Sequence, residues 1–155
     1  EHGDIDVLVL RRDHLAARTY LRDWDFWAAD PPGTLRPWPV GQELDATVHD
    51  IWCRKSHHED WCLQLMIDES GGGDWMSRRD PSIRAQIAEI AATTPSGLRY
   101  LAPHIQLFYK AKNLREKDQI DFDAVIRSGV SLDAEWLRQA ITHAHGPEHP
   151  WLRQL

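Results

Sequence analysis

A chain of 155 residues with 42% hydrophobic and 27% charged residues is long enough for one globular domain with its own core, and its composition excludes a disordered or low-complexity chain. The formal net charge of −6 offers no electrostatic footprint for nucleic acid or an anionic membrane, and it suits a cationic small-molecule substrate. No apolar run approaches the ~20 residues that a bilayer demands, nothing at the start reads as a signal peptide, and the two cysteines, Cys53 and Cys62, exclude a disulfide framework, so a cytoplasmic protein with two reduced thiols is expected.

The opening stretch Glu1-His2-Gly3-Asp4-Ile5-Asp6-Val7-Leu8-Val9-Leu10 reads as a β-strand. Residues i and i+2 share a strand face, so Asp4 and Asp6 present neighbouring carboxylates while Ile5, Val7 and Val9 are expected to enter the core. Asp13 then caps a helix over 14–22, and Phe26-Trp27-Ala28-Ala29 forms a second strand. Residues 30–41 carry four prolines and two glycines and read as a loop, with Arg36 and Trp38 suited to a substrate rim. The apolar runs 47–53 and 61–67, separated by Lys55-Ser56-His57-His58-Glu59-Asp60, predict a β-hairpin. Alternation places Val48, Asp50 and Trp52 on one face and His49, Ile51 and Cys53 on the other. A carboxylate inside so apolar a strand is costly unless a cation or donor compensates, which singles out Asp50.

Glu69-Ser70-Gly71-Gly72-Gly73-Asp74 reads as a turn without the Lys-Ser/Thr of a phosphate-binding loop, followed by a strand at 75–79. Apolar spacing suggests a helix over 83–91, and Leu98-Arg99-Tyr100-Leu101 an edge strand. From Pro103 the pattern turns helical: 104–114, a second helix around Ile120, Phe122, Val125 and Ile126, and a third over 132–143 capped by Ser131. The histidine-rich tail 143–150 reads as a proline-broken loop, a weak pattern for structural zinc. The expected fold class is α+β, a mixed β-sheet with flanking helices in a single domain over 1–155, sheet-rich over 1–102 and helical over 103–155.

Three blocks, Glu1-His2-Gly3-Asp4-Ile5-Asp6-Val7, then 101–112 with Tyr109-Lys110-Ala111-Lys112, then Lys117-Asp118-Gln119-Ile120-Asp121-Phe122, occur in one order across nearly the whole chain. In this they resemble the aminoglycoside and lincosamide nucleotidyltransferases, in particular aminoglycoside 2''-adenylyltransferase-like proteins. The resemblance implies a nucleotidyltransferase-like fold and Mg²⁺-dependent transfer of a nucleoside monophosphate, AMP from ATP or its equivalent from another nucleoside triphosphate, to a hydroxyl of a small molecule of the aminoglycoside type, an activity tied to antibiotic resistance. It implies that Asp4 and Asp6 hold Mg²⁺ together with a third acid from a later strand. Asp50 is the choice for that acid, as metal ligand or general base, while Gln64 or Asp68 could equally occupy the position. Lys110 and Lys112 are the candidates for neutralising the triphosphate. The family's Gly-Gly helix, which lies upstream of the Asp-x-Asp strand, precedes the point at which this sequence starts, so either the sequence is a fragment or the triphosphate cradle is lacking. Two rivals follow: a catalytically inactive binding protein of the same fold, and a metal-dependent phosphohydrolase built on His49-Asp50, His57-His58 and Asp60.

Overall fold

The computed structural model describes residues 3–155; Glu1 and His2, which open the Asp-x-Asp motif block, lie outside the described residues. The hairpin expected around residues 47–67 forms the middle of the main sheet. Strand β4 (Asp50–Arg54) runs antiparallel to β5 (Leu63–Gly71), with Ile51 opposite Leu65 and Asp50 opposite Met66. Side chains alternate along a strand, so Ile51, Cys53, Leu65 and Ile67 share one face and are buried, while Asp50, Trp52, Gln64 and Met66 share the other and are half-buried. Strand β2 (Asp25–Ala29) pairs antiparallel with β4, and the short β3 (Leu35–Pro37) with β2. Strand β1 (Ile5–Leu10) lies parallel to β5, which sets Asp6 opposite Gln64 and Leu10 opposite Asp68.

β5 outruns β4 and pairs at its far end with β6 (Asp74–Ser77). The tight turn between them needs positive φ, and Gly72 (61°) and Gly73 (96°) supply it without the clash a Cβ would bring. With β7 (Asp80–Gln86) beside β6, the order is β3-β2-β4-β5-β6-β7, with β1 added along β5. Parallel and antiparallel pairs together make the sheet mixed, and with the helices the fold is α+β. Helix α1 (His14–Tyr20) covers the apolar face: Leu15 and Ala17, with Leu21 and Trp24 beyond it, pack on Phe26, Ala28, Trp38, Val48, Ile51 and Ile67. Burial pushes the Cys53 thiol up to about 12, so it acts there as a small apolar group.

By compactness the chain divides into two units, Glu1–Arg84 and Ala85–Leu155, with the division falling inside β7. The second unit carries the antiparallel pair β8 (Ala91–Thr93) and β9 (Arg99–Leu101), then α2 (Pro103–Lys110), α3 (Glu116–Ser128) and α4 (Ala134–His145). Pro103 sits in the first turn of α2, where its missing N–H costs nothing. Helix α2 packs on α3 and α4 through Ile105, Leu107 and Phe108, all buried, and Phe122 stacks on Trp151 at 4.4 Å. No helix among the described residues is long and apolar enough to cross a membrane.

His104 in α2 has its Nδ1 buried without a hydrogen-bond partner, 5.3 Å from the Trp136 ring. Burial lowers its pKa against the opposing fields of Asp133 and Glu89. The unfolded chain therefore takes up this proton more readily than the folded one, and stability is lost as pH falls through 6.5 toward the lower folded value. Melting temperatures measured between about pH 5 and 8 should fall on the acid side for the wild type and fall less for His104→Leu; parallel curves would rule the mechanism out.

Several expected elements differ. The helix expected over 83–91 is absent: residues 80–86 form β7, because alternation of Ile83 and Ala85 serves a strand as well as a helix, and β7 lies at the sheet edge where Pro81 is tolerated. Ile5 and Val7, expected in the core, are 66% and 37% exposed, since burial along β1 begins only toward Leu10. The proline-rich loop contains β3, and Trp38, expected at a rim, is 1% exposed. Val48 is buried rather than sharing the face of Asp50, because β4 begins at Asp50 and the alternation does not extend back to it. α1 ends at Tyr20 and lacks an Asp13 cap bond, and Asp133 rather than Ser131 caps α4 by accepting from the Trp136 N–H at 2.9 Å.

Candidate functional site

The polar face of the sheet carries a cleft of about 310 Å³. Its wall comes from Ala29, Pro32 and Gly33, at the end of β2 and the turn into β3, and its floor from Thr47, His49, Asp50, Trp52 and Gln64. The turn is fastened by the Asp30 N–H to Thr34 C=O bond of 2.8 Å and by the Arg36–Asp30 ion pair of 2.6 Å. Arg11 fixes the segment before β4 from beneath, donating to the carbonyls of Asp45, Ala46 and Val48 while its Nε pairs with Glu69. The cleft is thus built by local sequence features that hold two loops against a flat strand surface.

Asp50 is the chemically distinctive group on that floor. Its Oδ1 accepts from Gln64 Nε2 at 2.9 Å and from an Arg78 guanidinium nitrogen at 3.0 Å. The same Arg78 nitrogen donates to the His49 carbonyl at 2.9 Å, and Arg78 Nε lies 3.9 Å from Oδ1 of the fully buried Asp68. Asp68 Oδ2 accepts from the Trp75 indole at 2.6 Å. The donors that offset the cost of half-burying Asp50 are therefore an amide and a guanidinium. One carboxylate oxygen is held by two donors; no hydrogen bond from a described residue reaches the other.

Asp6 and Asp50 lie on the same face of the sheet but not side by side. Asp6 is opposite Gln64, and Asp50 is one strand further over and two residues along, a separation of roughly 10 Å across and 7 Å along at ordinary strand spacing. Among the described residues no three His, Cys, Asp or Glu side chains group closely enough to hold a metal ion, so Asp4, Asp6 and Asp50 do not form a three-carboxylate centre. Asp4, half-buried just ahead of β1, and Asp6, exposed on it, still fit the one or two carboxylates by which a protein usually holds Mg²⁺, the remaining positions falling to water and phosphate oxygens. Of the alternatives for the third acid, Gln64 is the direct neighbour of Asp6, Asp50 faces the cleft, and Asp68 is sealed in the interior.

Lys110 and Lys112 belong to the second unit. Lys110 Nζ pairs there with Asp121 at 2.7 Å and with Asp118 at 3.5 Å. Asp118 is buried, and the Arg115 hydrogen bond holds its carboxyl below the usual range. Lys110 thus ties α2 to α3 through two acids, while Lys112 is exposed just past the end of α2. The His57 and His58 rings meet at 3.6 Å with their planes tilted by 43° at the exposed turn of the β4–β5 hairpin, and neither they and Asp60 nor the histidines of the 143–150 tail form a metal-holding group among the described residues. Sequence reasoning missed the cleft wall at Pro32 and Gly33 and the guanidinium on Asp50. The available signal for the latter was Arg78 standing directly after the short apolar β6, where a hairpin returns it toward β4.

No family model matches this chain, and comparison with curated proteins and with solved structures returns no significant match.

Proposed function

We propose that this chain is a nucleotidyltransferase domain that transfers a nucleoside monophosphate from a Mg²⁺-bound nucleoside triphosphate, ATP in the first instance, to a hydroxyl of a small molecule seated in the Asp50 cleft. The observation that carries the reading is the register: it sets the Asp-x-Asp strand and the cleft carboxylate on one face of one sheet, with Gln64 between them. The geometry favours general-base over metal-ligand duty for Asp50, because its neighbours are Gln64 and Arg78 rather than another acid.

In this reading the acceptor oxygen attacks the α-phosphorus in line as its proton passes to Asp50, and the bond from the α-phosphorus to the leaving pyrophosphate breaks. Asp4 and Asp6 would hold the metal, which would supply charge neutralisation on the phosphates. Trp52 and the Pro32–Gly33 turn seat the acceptor and narrow the access of water. The protein acts in the cytoplasm, where nucleoside triphosphates are at hand. The acidic net charge and the cleft carboxylate both suit a cationic acceptor of the aminoglycoside type.

A second reading, a binding module without catalysis, is favoured by one observation: an amide at position 64 stands beside Asp6 where a further carboxylate would complete a metal centre. Titration calorimetry with ATP, with and without Mg²⁺, separates the two, together with pyrophosphate release in the presence of kanamycin. Nucleotidyl transfer requires Mg²⁺-dependent nucleotide heat that Asp6→Asn abolishes, and pyrophosphate release that depends on the acceptor. A chain that binds kanamycin but shows neither signal is the binding module.

A further inference from the structure

The β5–β6 ribbon delivers a basic side chain to the cleft from behind, and its connections run deeper than one ion pair. Trp75 and Arg78 arrive together, Trp75 on β6 and Arg78 directly after it. The Trp75 indole donates to Asp68, Asp68 faces Arg78, and Arg78 spans the His49 carbonyl and one oxygen of Asp50. Asp68 and Trp75 are fully buried, so this chain of contacts is anchored where side chains have no freedom to drift. At its outer end the half-buried Asp50 keeps one carboxylate oxygen that neither Gln64 nor Arg78 occupies.

We propose that Arg78 is a positioning residue: by holding Oδ1 of Asp50 against Gln64 and the β4 backbone, it fixes the rotamer that turns the second carboxylate oxygen toward the acceptor. The inference rests on the reading of Asp50 as the group that takes the acceptor's proton. A guanidinium suits the task better than an ammonium, because one of its nitrogens bonds both the His49 carbonyl and Asp50 while its Nε, on the same rigid plane, stands 3.9 Å from the buried Asp68, a spread that the single ammonium of a lysine does not cover. In this placement Arg78 acts on the protein's own carboxylate.

The test compares Arg78→Met and Arg78→Lys with the wild type by two readouts: pyrophosphate release with Mg·ATP and kanamycin, and the side-chain amide resonances of Gln64 in the ligand-free protein. Backbone amide spectra check the fold. In the wild type, the Gln64 proton donated to Asp50 should be shifted away from its partner. Arg78→Met should collapse that splitting to the value of a solvated glutamine and lower kcat about 100-fold, with KM for Mg·ATP within about twofold, as expected when a general base is displaced. Arg78→Lys should keep part of the splitting and stay within about tenfold of wild-type kcat. Unchanged splitting and kcat in Arg78→Met overturn the proposal, and so does a loss of kcat with the splitting intact, which would put Arg78 on the substrate. If Arg78→Met does not fold, wild-type values for both readouts in Arg78→Lys overturn it. A wild type that releases no pyrophosphate brings down the nucleotidyl reading, while the Gln64 resonances still decide whether Arg78 places Asp50.

Discussion

Replacing Asp50 by Asn is expected to lower kcat for nucleotidyl transfer by about two to four orders of magnitude, the range typical of losing a general base. Asparagine keeps the shape of the side chain and can still accept from Gln64 and Arg78 through its amide oxygen, so the cleft keeps its floor. What it cannot do is take a proton. KM for Mg·ATP should change little, because the strand register holds Asp50 two strands away from the Asp6 position. Removing the charge leaves the Arg78 guanidinium, itself only 14% exposed, facing a neutral partner, so a modest fall in melting temperature should accompany the kinetic loss. Steady-state pyrophosphate release gives kcat and KM separately, and thermal melting confirms that folded enzyme is being compared. A residual activity within about threefold of wild type would remove Asp50 from the proton-transfer step.

The sheet was readable because its central hairpin states its own pairing. Ile51, Cys53, Leu65 and Ile67 repeat at the strand period, and the polar residues 55–60 between the runs leave no other connection. Helices α2, α3 and α4 were legible from their apolar spacing, with Pro103 marking the first turn of α2, while the cap of α4 was placed two residues early, at Ser131 instead of Asp133. The helix expected over 83–91 failed because two periodicities fit the same residues. Ile83, Ile87 and Ile90 satisfy a helical stripe, yet the edge of β6 was unpaired and offered the segment hydrogen bonds that no sequence pattern displays. The candidate site was partly legible for another reason. A lone carboxylate in an apolar strand announces itself, and Asp50 does line a cleft. Its compensating donors come from residues 14 and 28 positions away, and that distance can be closed only by the fold. For Lys110 the sequence shows a lysine beside a resembling motif, while its acidic neighbours on α3 become visible only in the fold.

Trp38→Ala is expected to cost about 3–5 kcal/mol of stability, the usual range for emptying a buried aromatic site, against a total of about 5–15 kcal/mol for a domain. The sequence places this tryptophan in a proline-rich loop as a candidate for a substrate rim; the packing assigns it to the core. Its indole stacks on His14 at 5.9 Å, meets Phe26 edge-on at 5.8 Å and donates to the Gln42 carbonyl at 2.8 Å. Its backbone N–H donates to Phe26 C=O at 2.8 Å, and its carbonyl accepts from the buried Arg18 at 3.1 Å. Removing the ring therefore opens a cavity under α1 and loosens Arg18, whose guanidinium also sits over the Phe26 ring at 4.4 Å. The same ring is where the excursion that begins at Asp30 returns to the core, so the Pro32–Gly33 wall of the cleft depends on it for its far anchor. Weakened acceptor binding should thus appear in Trp38→Ala at temperatures where the protein is still folded. The half-buried Trp27, whose indole pairs with Asp25 at the sheet surface, provides the control and should cost markedly less when cut to alanine. Urea denaturation with the slope held constant reads both variants on one scale. A Trp38→Ala cost below about 1 kcal/mol would return the residue to the surface role suggested by its proline-rich surroundings and detach the cleft wall from the core.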